Sequence, residues 1–155
     1  MNLYRATVAW QNNGQVFTDK KYSRKHLWHF DGGLEVPASA SPHIVGEPYA
    51  DPSAVDPEEA FVASLASCHM LWFLSLAAEQ EFVVAEYQDQ AEGTMKKNAE
   101  GKLAITEVIL RPIVRFDENS TPDQQIFENL HQQAHKRCFI AHSVKTTITV
   151  DAQIE

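Results

Sequence analysis

The chain has 155 residues, of which 44% are hydrophobic, and its length and composition fit one domain over residues 1–155 with a substantial core. Its formal net charge of −8 argues against a nucleic-acid partner, because nucleic-acid-binding proteins carry clustered Lys and Arg. Two cysteines without a CxxC pair are too few for a disulfide scaffold or a zinc ribbon, and we expect both thiols to be reduced at rest.

Alternating apolar residues begin the chain and predict a β-hairpin. One face carries Tyr4, Ala6, Val8 and Trp10, and the turn Asn12-Asn13-Gly14 follows. A return strand over 15–22 and a short strand over 26–30 are expected next. Residues 34–57 hold five prolines and predict a long ordered loop. The N-terminus lacks the basic and apolar segments of a signal peptide, so we expect a cytoplasmic location.

A strong helix-start signal precedes the first helix. Asp56 is the predicted N-cap, Pro57 takes the first helical position, and Glu59 completes a capping box. The helix is expected to end near Gln80.

Cys68 lies in the middle of this helix, within the uncharged run 60–78. The run contains several Ser and one His, which argues against a membrane span. A helix that is apolar on all sides is enclosed by protein, and a second subunit would supply that cover.

The second half of the chain predicts strands over 82–97 and 102–116 around a turn at 98–101, then a helix and a strand over 144–154. The helix starts after Thr121, and its apolar stripe reaches Cys138 through the positions Phe127, Leu130 and Ala134. Strands and helices in this order indicate the α+β class.

A mid-helix thiol cannot use the helix dipole, which fades within the first turn. Burial alone would raise the pKa of Cys68 and leave it inert, so a reactive Cys68 requires a cation from elsewhere in the fold. A buried cysteine that serves only for packing is the alternative.

The segments DPEEAFVASLASCHM and AHKRCFIAHSVKTTITV resemble the OsmC/Ohr family of thiol-dependent peroxidases, and the order of elements agrees along essentially the whole chain. The resemblance implies an OsmC-like α+β fold, with antiparallel sheets around two central helices. It also implies an intertwined homodimer with two equivalent sites at the subunit interface.

The resemblance further implies a reaction and the residues that perform it. Cys68 would attack an organic hydroperoxide and become a sulfenic acid, and Cys138 would condense with it to form a disulfide. An external dithiol would reduce that disulfide, and no cofactor is implied.

The family also uses an Arg held by a Glu, and Glu59 matches the position of that Glu. Nine helical residues separate Glu59 from Cys68 by about 13.5 Å and place them on opposite faces, so the link must run through the Arg or the other subunit. No Arg occurs between Arg24 and Arg111, so the proline-rich loop supplies none. Arg24 is therefore the candidate, with Arg137 as the alternative.

Two other interpretations stay open. Seven histidines raise the possibility of a metal site, but no set of ligands is complete, and His131 with His135 is typical of a solvated helix face. His69 beside Cys68 is a candidate for hydrogen bonding near the site. The second function class is a non-catalytic dimeric binding protein that holds an apolar small molecule in its interface cavity.

Overall fold

A computed structural model describes every residue from Met1 to Glu155. The chain divides into two compact units, Met1–Ala60 and Phe61–Glu155. It contains nine strands, three α-helices and one 3₁₀-helix, which confirms the predicted α+β class. That residues 1–155 form a single domain stays a prediction.

The first unit contains an antiparallel three-stranded sheet. Its strands are β1 (Ala6–Ala9), β2 (His26–Phe30) and β3 (Glu35–Ala38), and they lie in the order β1-β2-β3. The short strand over 26–30 is confirmed.

The predicted return strand over 15–22 is wrong. The turn forms, with positive φ angles at Asn13 and Gly14, but the chain then enters a 3₁₀-helix, Phe17–Asp19, and β1 pairs with β2 instead. The apolar residues Val16 and Phe17 are adjacent in this segment and do not alternate with polar ones. The Phe17 ring stacks on the Tyr22 ring, with centroids 4.5 Å apart. This local aromatic packing competes with an extended strand.

The segment 34–57, predicted as a loop from its prolines, contains strand β3. Pro37 lies inside β3, which is an edge strand, and an edge tolerates a residue without an amide hydrogen. The carbonyl of Pro37 accepts a hydrogen bond from the amide of Val55 at 3.2 Å, so the later part of the segment returns alongside the strand.

Helix α1 spans Pro57–Glu79, which confirms the predicted element and its end. The capping box is also confirmed, because the amide of Glu59 donates to Asp56 Oδ1 at 2.8 Å and the amide of Asp56 donates to Glu59 Oε2 at 3.2 Å. By length and composition α1 would be able to cross a membrane, a test that core helices of soluble proteins also pass.

The second unit holds two three-stranded sheets. Their strands are β4 Val84–Asp89, β5 Glu92–Lys97, β6 Leu103–Leu110, β7 Pro112–Phe116, β8 Thr147–Val150 and β9 Gln153–Ile154. The strand orders are β4-β7-β9 and β5-β6-β8. Neighbouring strands pair antiparallel, except that β8 joins β6 and β9 joins β7 in parallel.

Each long strand predicted for this unit is divided into two. The break between β6 and β7 lies at Arg111, whose amide leaves the ladder and donates to Asp89 Oδ1 at 2.7 Å. The two halves then join different sheets, so the apolar residues Val108 and Val114 are both buried but in separate clusters.

Helix α2 spans Gln124–Arg137 and the short α3 spans Phe139–His142. The N-cap of α2 is Asp123, later than the predicted start after Thr121, because the Asp123 carboxylate accepts from the amide of Ile126 at 2.8 Å. The predicted stripe is confirmed as core, and it consists of Phe127, Leu130, Ala134 and Cys138, each at most 1% exposed.

Candidate functional site

The fold brings the two thiols together, although they are 70 positions apart in the chain. Cys68 is half-buried in α1, and Cys138 is buried at the junction of α2 and α3. Both are free. Burial raises the pKa of Cys138 to about 11, and the neighbouring Cys68 thiol contributes to this rise. Cys138 is therefore a protonated thiol at neutral pH.

The Cys138 side chain caps the short helix that follows it. It serves as the N-cap of α3, and its sulfur accepts a hydrogen bond from the amide of Ala141 at 3.4 Å. This hydrogen bond orients the sulfur at the helix junction, next to the Cys68 thiol.

Aromatic and cationic side chains lie close to the two thiols in sequence and to each other in space. Trp72, one turn after Cys68, packs edge-to-face against Phe139, with ring centroids 5.5 Å apart. The guanidinium of Arg137 lies 5.7 Å from the Trp72 ring centroid. Arg137 thus lies near side chains that flank both cysteines, and it stays a candidate cation for the site.

Arg24 is held within its own segment of the first unit. Its guanidinium donates to the carbonyl of Lys20 at 2.9 Å and to the carbonyl of Tyr22, and it lies 3.7 Å from the Tyr22 ring centroid. Its amide also donates to the carbonyl of Tyr49 at 2.8 Å. The activating role of Arg24 toward Cys68 stays a prediction.

Glu59 has one confirmed role, as the reciprocal partner of Asp56 in the helix cap. A carboxylate oxygen that accepts a backbone amide still has lone pairs for a second donor. The predicted link between Glu59 and an arginine stays a prediction.

A buried pair of imidazoles is the main feature that the sequence did not predict. His69 Nε2 and His131 Nδ1 are 2.9 Å apart, and the two side chains are 1% and 4% exposed. The prediction that His131 lies on a solvated helix face is wrong. The sequence signal was available, because position 131 lies four residues after Phe127 and seven before Cys138, on the same helix face.

Both imidazoles are neutral at physiological pH. Burial and, after it, the charge of His135 lower the pKa of His69 to about 4. Burial and the charge of His69 lower the pKa of His131 to about 3. The outer nitrogens, His69 Nδ1 and His131 Nε2, are buried without a hydrogen-bond partner. The side chains of this chain offer no converging group of three or more His, Cys, Asp or Glu for a metal ion.

Comparisons with known proteins agree with this arrangement of elements. The family model described as OsmC-like protein matches residues 50–153. An OsmC-like protein of unknown function from Vibrio cholerae is 49% identical in sequence, with a TM-score of 0.96 and coverage of 98% of this chain and 99% of that chain. No curated protein sequence matches the chain.

More distant structures share the fold alone. An organic hydroperoxide resistance protein from Elizabethkingia anophelis has a TM-score of 0.69 at 17% identity, with 99% of this chain and 97% of that chain covered. The organic hydroperoxide resistance protein OhrB of Bacillus subtilis has a TM-score of 0.63 at 16% identity, with 99% and 98% covered. Because the family model spans more than half of its residues, the chain belongs to the OsmC-like protein family.

Proposed function

We propose that this protein is a thiol-dependent peroxidase that reduces organic hydroperoxides in oxidative stress defence. The observation that carries the proposal is the adjacency of two free thiols, Cys68 in α1 and Cys138 at the junction of α2 and α3. Two solved proteins named for organic hydroperoxide resistance share the fold, which supports the same reaction class here.

The reaction proceeds in two steps on the two sulfurs. The Cys68 thiolate attacks the distal oxygen of ROOH, the O–O bond breaks, and RO⁻ takes a proton to leave as an alcohol. Cys68 is then a sulfenic acid, and the sulfur of Cys138 attacks it. An S–S bond forms, the S–O bond breaks, and the oxygen leaves as water together with the Cys138 proton. An external dithiol reduces the disulfide by thiol-disulfide exchange.

The raised pKa of Cys138 supports the two proposed roles. Burial keeps Cys138 protonated at neutral pH, which makes it the less suitable thiol for the first attack on the peroxide, so we propose Cys68 for that step and Cys138 for the attack on the sulfenic acid. A cation next to Cys68 would favour its thiolate, and Arg24 held by Glu59 is the proposed source, with Arg137 as the alternative.

Apolar side chains around Cys68 on α1 favour an alkyl or aryl hydroperoxide over a hydrated inorganic one. Phe61 and Leu65 precede Cys68 on this helix, and Trp72 follows it one turn later. Leu71 on the same helix is 61% exposed within one chain. A second copy of the chain would cover it, so we include an intertwined cytoplasmic homodimer in the proposal, without a nucleic-acid or membrane partner.

The proposal is tested by following the loss of cumene hydroperoxide with reduced lipoamide as the dithiol. The native protein is compared with Cys68→Ser, with Cys138→Ser, and with Ser67→Ala as a matched control on the same helix. We expect turnover in the native protein and in Ser67→Ala only. A Cys68→Ser protein that still consumes hydroperoxide would refute the proposal.

A second candidate is a non-catalytic dimeric binding protein whose cysteines serve for packing, with an apolar ligand in the interface cavity. The exposed apolar surface of α1 around Leu71 favours it as well. Thiol labelling at pH 7 separates the two candidates. Slow, equal labelling of both cysteines, with no disulfide formed after peroxide addition, would favour the binding protein.

A further inference from the structure

The hydrogen bond between His69 and His131 is the one side-chain hydrogen bond that joins α1 to α2. Around it the two helices meet in a buried apolar cluster, which includes Phe73 of α1 and Phe127 of α2. Apolar packing has no preferred direction, whereas a hydrogen bond depends on the distance and angle between its two groups. The imidazole pair is therefore the contact best able to fix how the two helices lie against each other.

Aromatic rings from both helices pack against His131. Its ring stacks on Phe73, with centroids 4.2 Å apart, and meets the edge of the Phe127 ring at 4.7 Å. The planes of the two imidazoles differ by only 5°. These neighbours restrict the rotation of the His131 ring, so the hydrogen bond to His69 has a defined orientation.

The stability that the imidazole pair supplies does not explain its presence in the core. The outer nitrogens, His69 Nδ1 and His131 Nε2, are buried without a hydrogen-bond partner. Unpaired buried polar atoms lower stability, and two apolar side chains of similar shape can be equally stable or more so. A buried polar pair also favours one arrangement of its neighbours over others. The pair is therefore better explained by the helix arrangement that it selects.

The positions of the two histidines in the chain relate this arrangement to the thiols. Cys68 directly precedes His69 in α1, and Cys138, the C-terminal cap of α2, follows His131 by seven residues. Seven residues make nearly two full helical turns, so Cys138 lies on almost the same face of α2 as His131. The contact that turns His131 toward α1 thus also turns Cys138 toward α1, where the Cys68 thiol is its neighbour.

A reaction between two sulfurs depends strongly on their placement. A disulfide has a sulfur-sulfur distance of about 2.05 Å, with Cβ atoms about 3.5 to 4.5 Å apart. A misplacement of about 1 Å between reacting groups can reduce a rate by about 100-fold. A small shift of α2 relative to α1 would therefore slow disulfide formation.

We propose that His69 and His131 are positioning residues for disulfide formation, and that their hydrogen bond holds Cys68 and Cys138 close enough to react. The inference rests on the proposed function and concerns its second step. In that step the Cys138 sulfur attacks the Cys68 sulfenic acid, the S–S bond forms, the S–O bond breaks, and the hydroxyl leaves as water with the Cys138 proton. The first step needs only the Cys68 sulfur, so its rate should not depend on the imidazole pair.

Equilibration with glutathione tests the positioning without any peroxide. Glutathione disulfide oxidises the two thiols to a disulfide and is itself reduced to two glutathione molecules. The equilibrium ratio gives the effective concentration of one protein thiol at the other. His131→Phe keeps a ring against Phe73 but loses the hydrogen bond, and should lower this effective concentration about tenfold or more. His131→Asn keeps a polar group near the position of Nδ1 and should largely restore it.

Two further variants separate positioning from stability. The double variant His69→Leu/His131→Phe leaves no unpaired nitrogen, so urea unfolding should show it to be nearly as stable as the native protein. It should nevertheless show the lower effective concentration. His135→Phe is a matched control, because the ring of His135 lies on the same helix and makes no hydrogen bond to α1. It should leave the effective concentration unchanged.

A single turnover with cumene hydroperoxide, without dithiol, divides the two chemical steps. The double variant should consume the hydroperoxide at the native rate, but its Cys68 sulfenic acid should stay open to dimedone about tenfold longer. A native protein that consumes no hydroperoxide would refute the proposed function, and the glutathione equilibrium would still test the positioning. A native effective concentration in the folded double variant, or an equal decrease in His135→Phe, would overturn the inference.

Discussion

The Nε2 atom of His69 lies 2.9 Å from the Nδ1 atom of His131, and this hydrogen bond joins α1 to α2. The thiols belong to the same region, because Cys68 precedes His69 in α1 and Cys138 lies at the C-terminal cap of α2, seven residues after His131. An imidazole contact and a thiol contact therefore connect α1 to α2 and to the C-terminal cap of α2, and a change in either one is expected to affect the other.

The imidazole pair predicts acid sensitivity. The pKa of each histidine falls from 6.5 in the unfolded chain to about 4 for His69 and about 3 for His131. Between these pKa values the unfolded chain binds more protons than the folded chain. The free energy of unfolding should therefore fall as pH decreases from about 6.5 to about 4.

Urea unfolding of the native protein and of His131→Phe at pH 7 and pH 4.5 checks this. Between pH 7 and pH 4.5 the free energy of unfolding of the variant should decrease by about 1 to 3 kcal/mol less than that of the native protein. The reason is that the variant has one fewer histidine whose protonation favours the unfolded chain. An equal loss in both proteins would show that other groups cause the acid sensitivity.

The two thiols predict different trapped species. In Cys138→Ser, one addition of cumene hydroperoxide should leave a stable sulfenic acid on Cys68, because no second thiol can condense with it. Mass spectrometry after dimedone labelling detects this species. In the native protein the same treatment should give a disulfide between Cys68 and Cys138 and no dimedone adduct. A dimedone adduct on Cys138 of Cys68→Ser would reverse the assigned roles.

Substitutions at the cap of α1 distinguish a structural role of Glu59 from a catalytic one. Asp56→Ala should lower the free energy of unfolding by about 1 kcal/mol, because the amide of Glu59 loses its acceptor. Glu59→Gln keeps an oxygen acceptor at the capping position and should leave stability nearly unchanged. If Glu59 also holds the activating arginine, Glu59→Gln should nevertheless reduce kcat/KM for hydroperoxide at least tenfold. An unchanged kcat/KM would restrict Glu59 to the cap.

Replacement of each candidate arginine identifies the cation that activates Cys68. Arg24→Met and Arg137→Met remove the positive charge but keep an unbranched side chain. The variant that removes the activating cation should show a higher pKa of Cys68, measured by the pH dependence of iodoacetamide labelling. Arg115→Met is a matched control, since Arg115 pairs with Glu86 at 2.8 Å and should leave the pKa of Cys68 unchanged. If neither variant changes the labelling profile, neither Arg24 nor Arg137 activates the thiol.

Gly93 allows the start of α1 to approach β5. A Cβ atom at position 93 would lie 2.6 Å from Cγ2 of Val62, closer than side chains normally pack. Gly93→Ala should therefore lower the free energy of unfolding by about 1 to 3 kcal/mol. Val62→Ala removes the opposing methyl group, so the double variant should be less destabilised than the sum of the two single changes. If the decreases in the free energy of urea unfolding are additive, the destabilisation by Gly93→Ala does not come from its contact with Val62.

Local signals in the sequence predicted the helices well and the strands incompletely. The cap at Asp56 and the stripe from Phe127 to Cys138 are encoded within a few turns, and both appear in the structure. The strand divisions depend on contacts between distant residues, such as the amide of Arg111 with Asp89. No local sequence pattern predicts such a contact. The packing of Phe17 on Tyr22 was likewise not predicted from the sequence.

The sequence by itself determined the α+β class, the first helix with its cap, and the resemblance that identified Cys68 and Cys138 as a pair. These features rest on periodicity, capping chemistry and motif spacing, all of which are local. The tertiary structure decided that the two thiols are neighbours and that His69 meets His131 in a buried neutral pair. Both contacts join residues more than 60 positions apart, and the loss of water around the two imidazoles lowers the pKa of His69 and of His131.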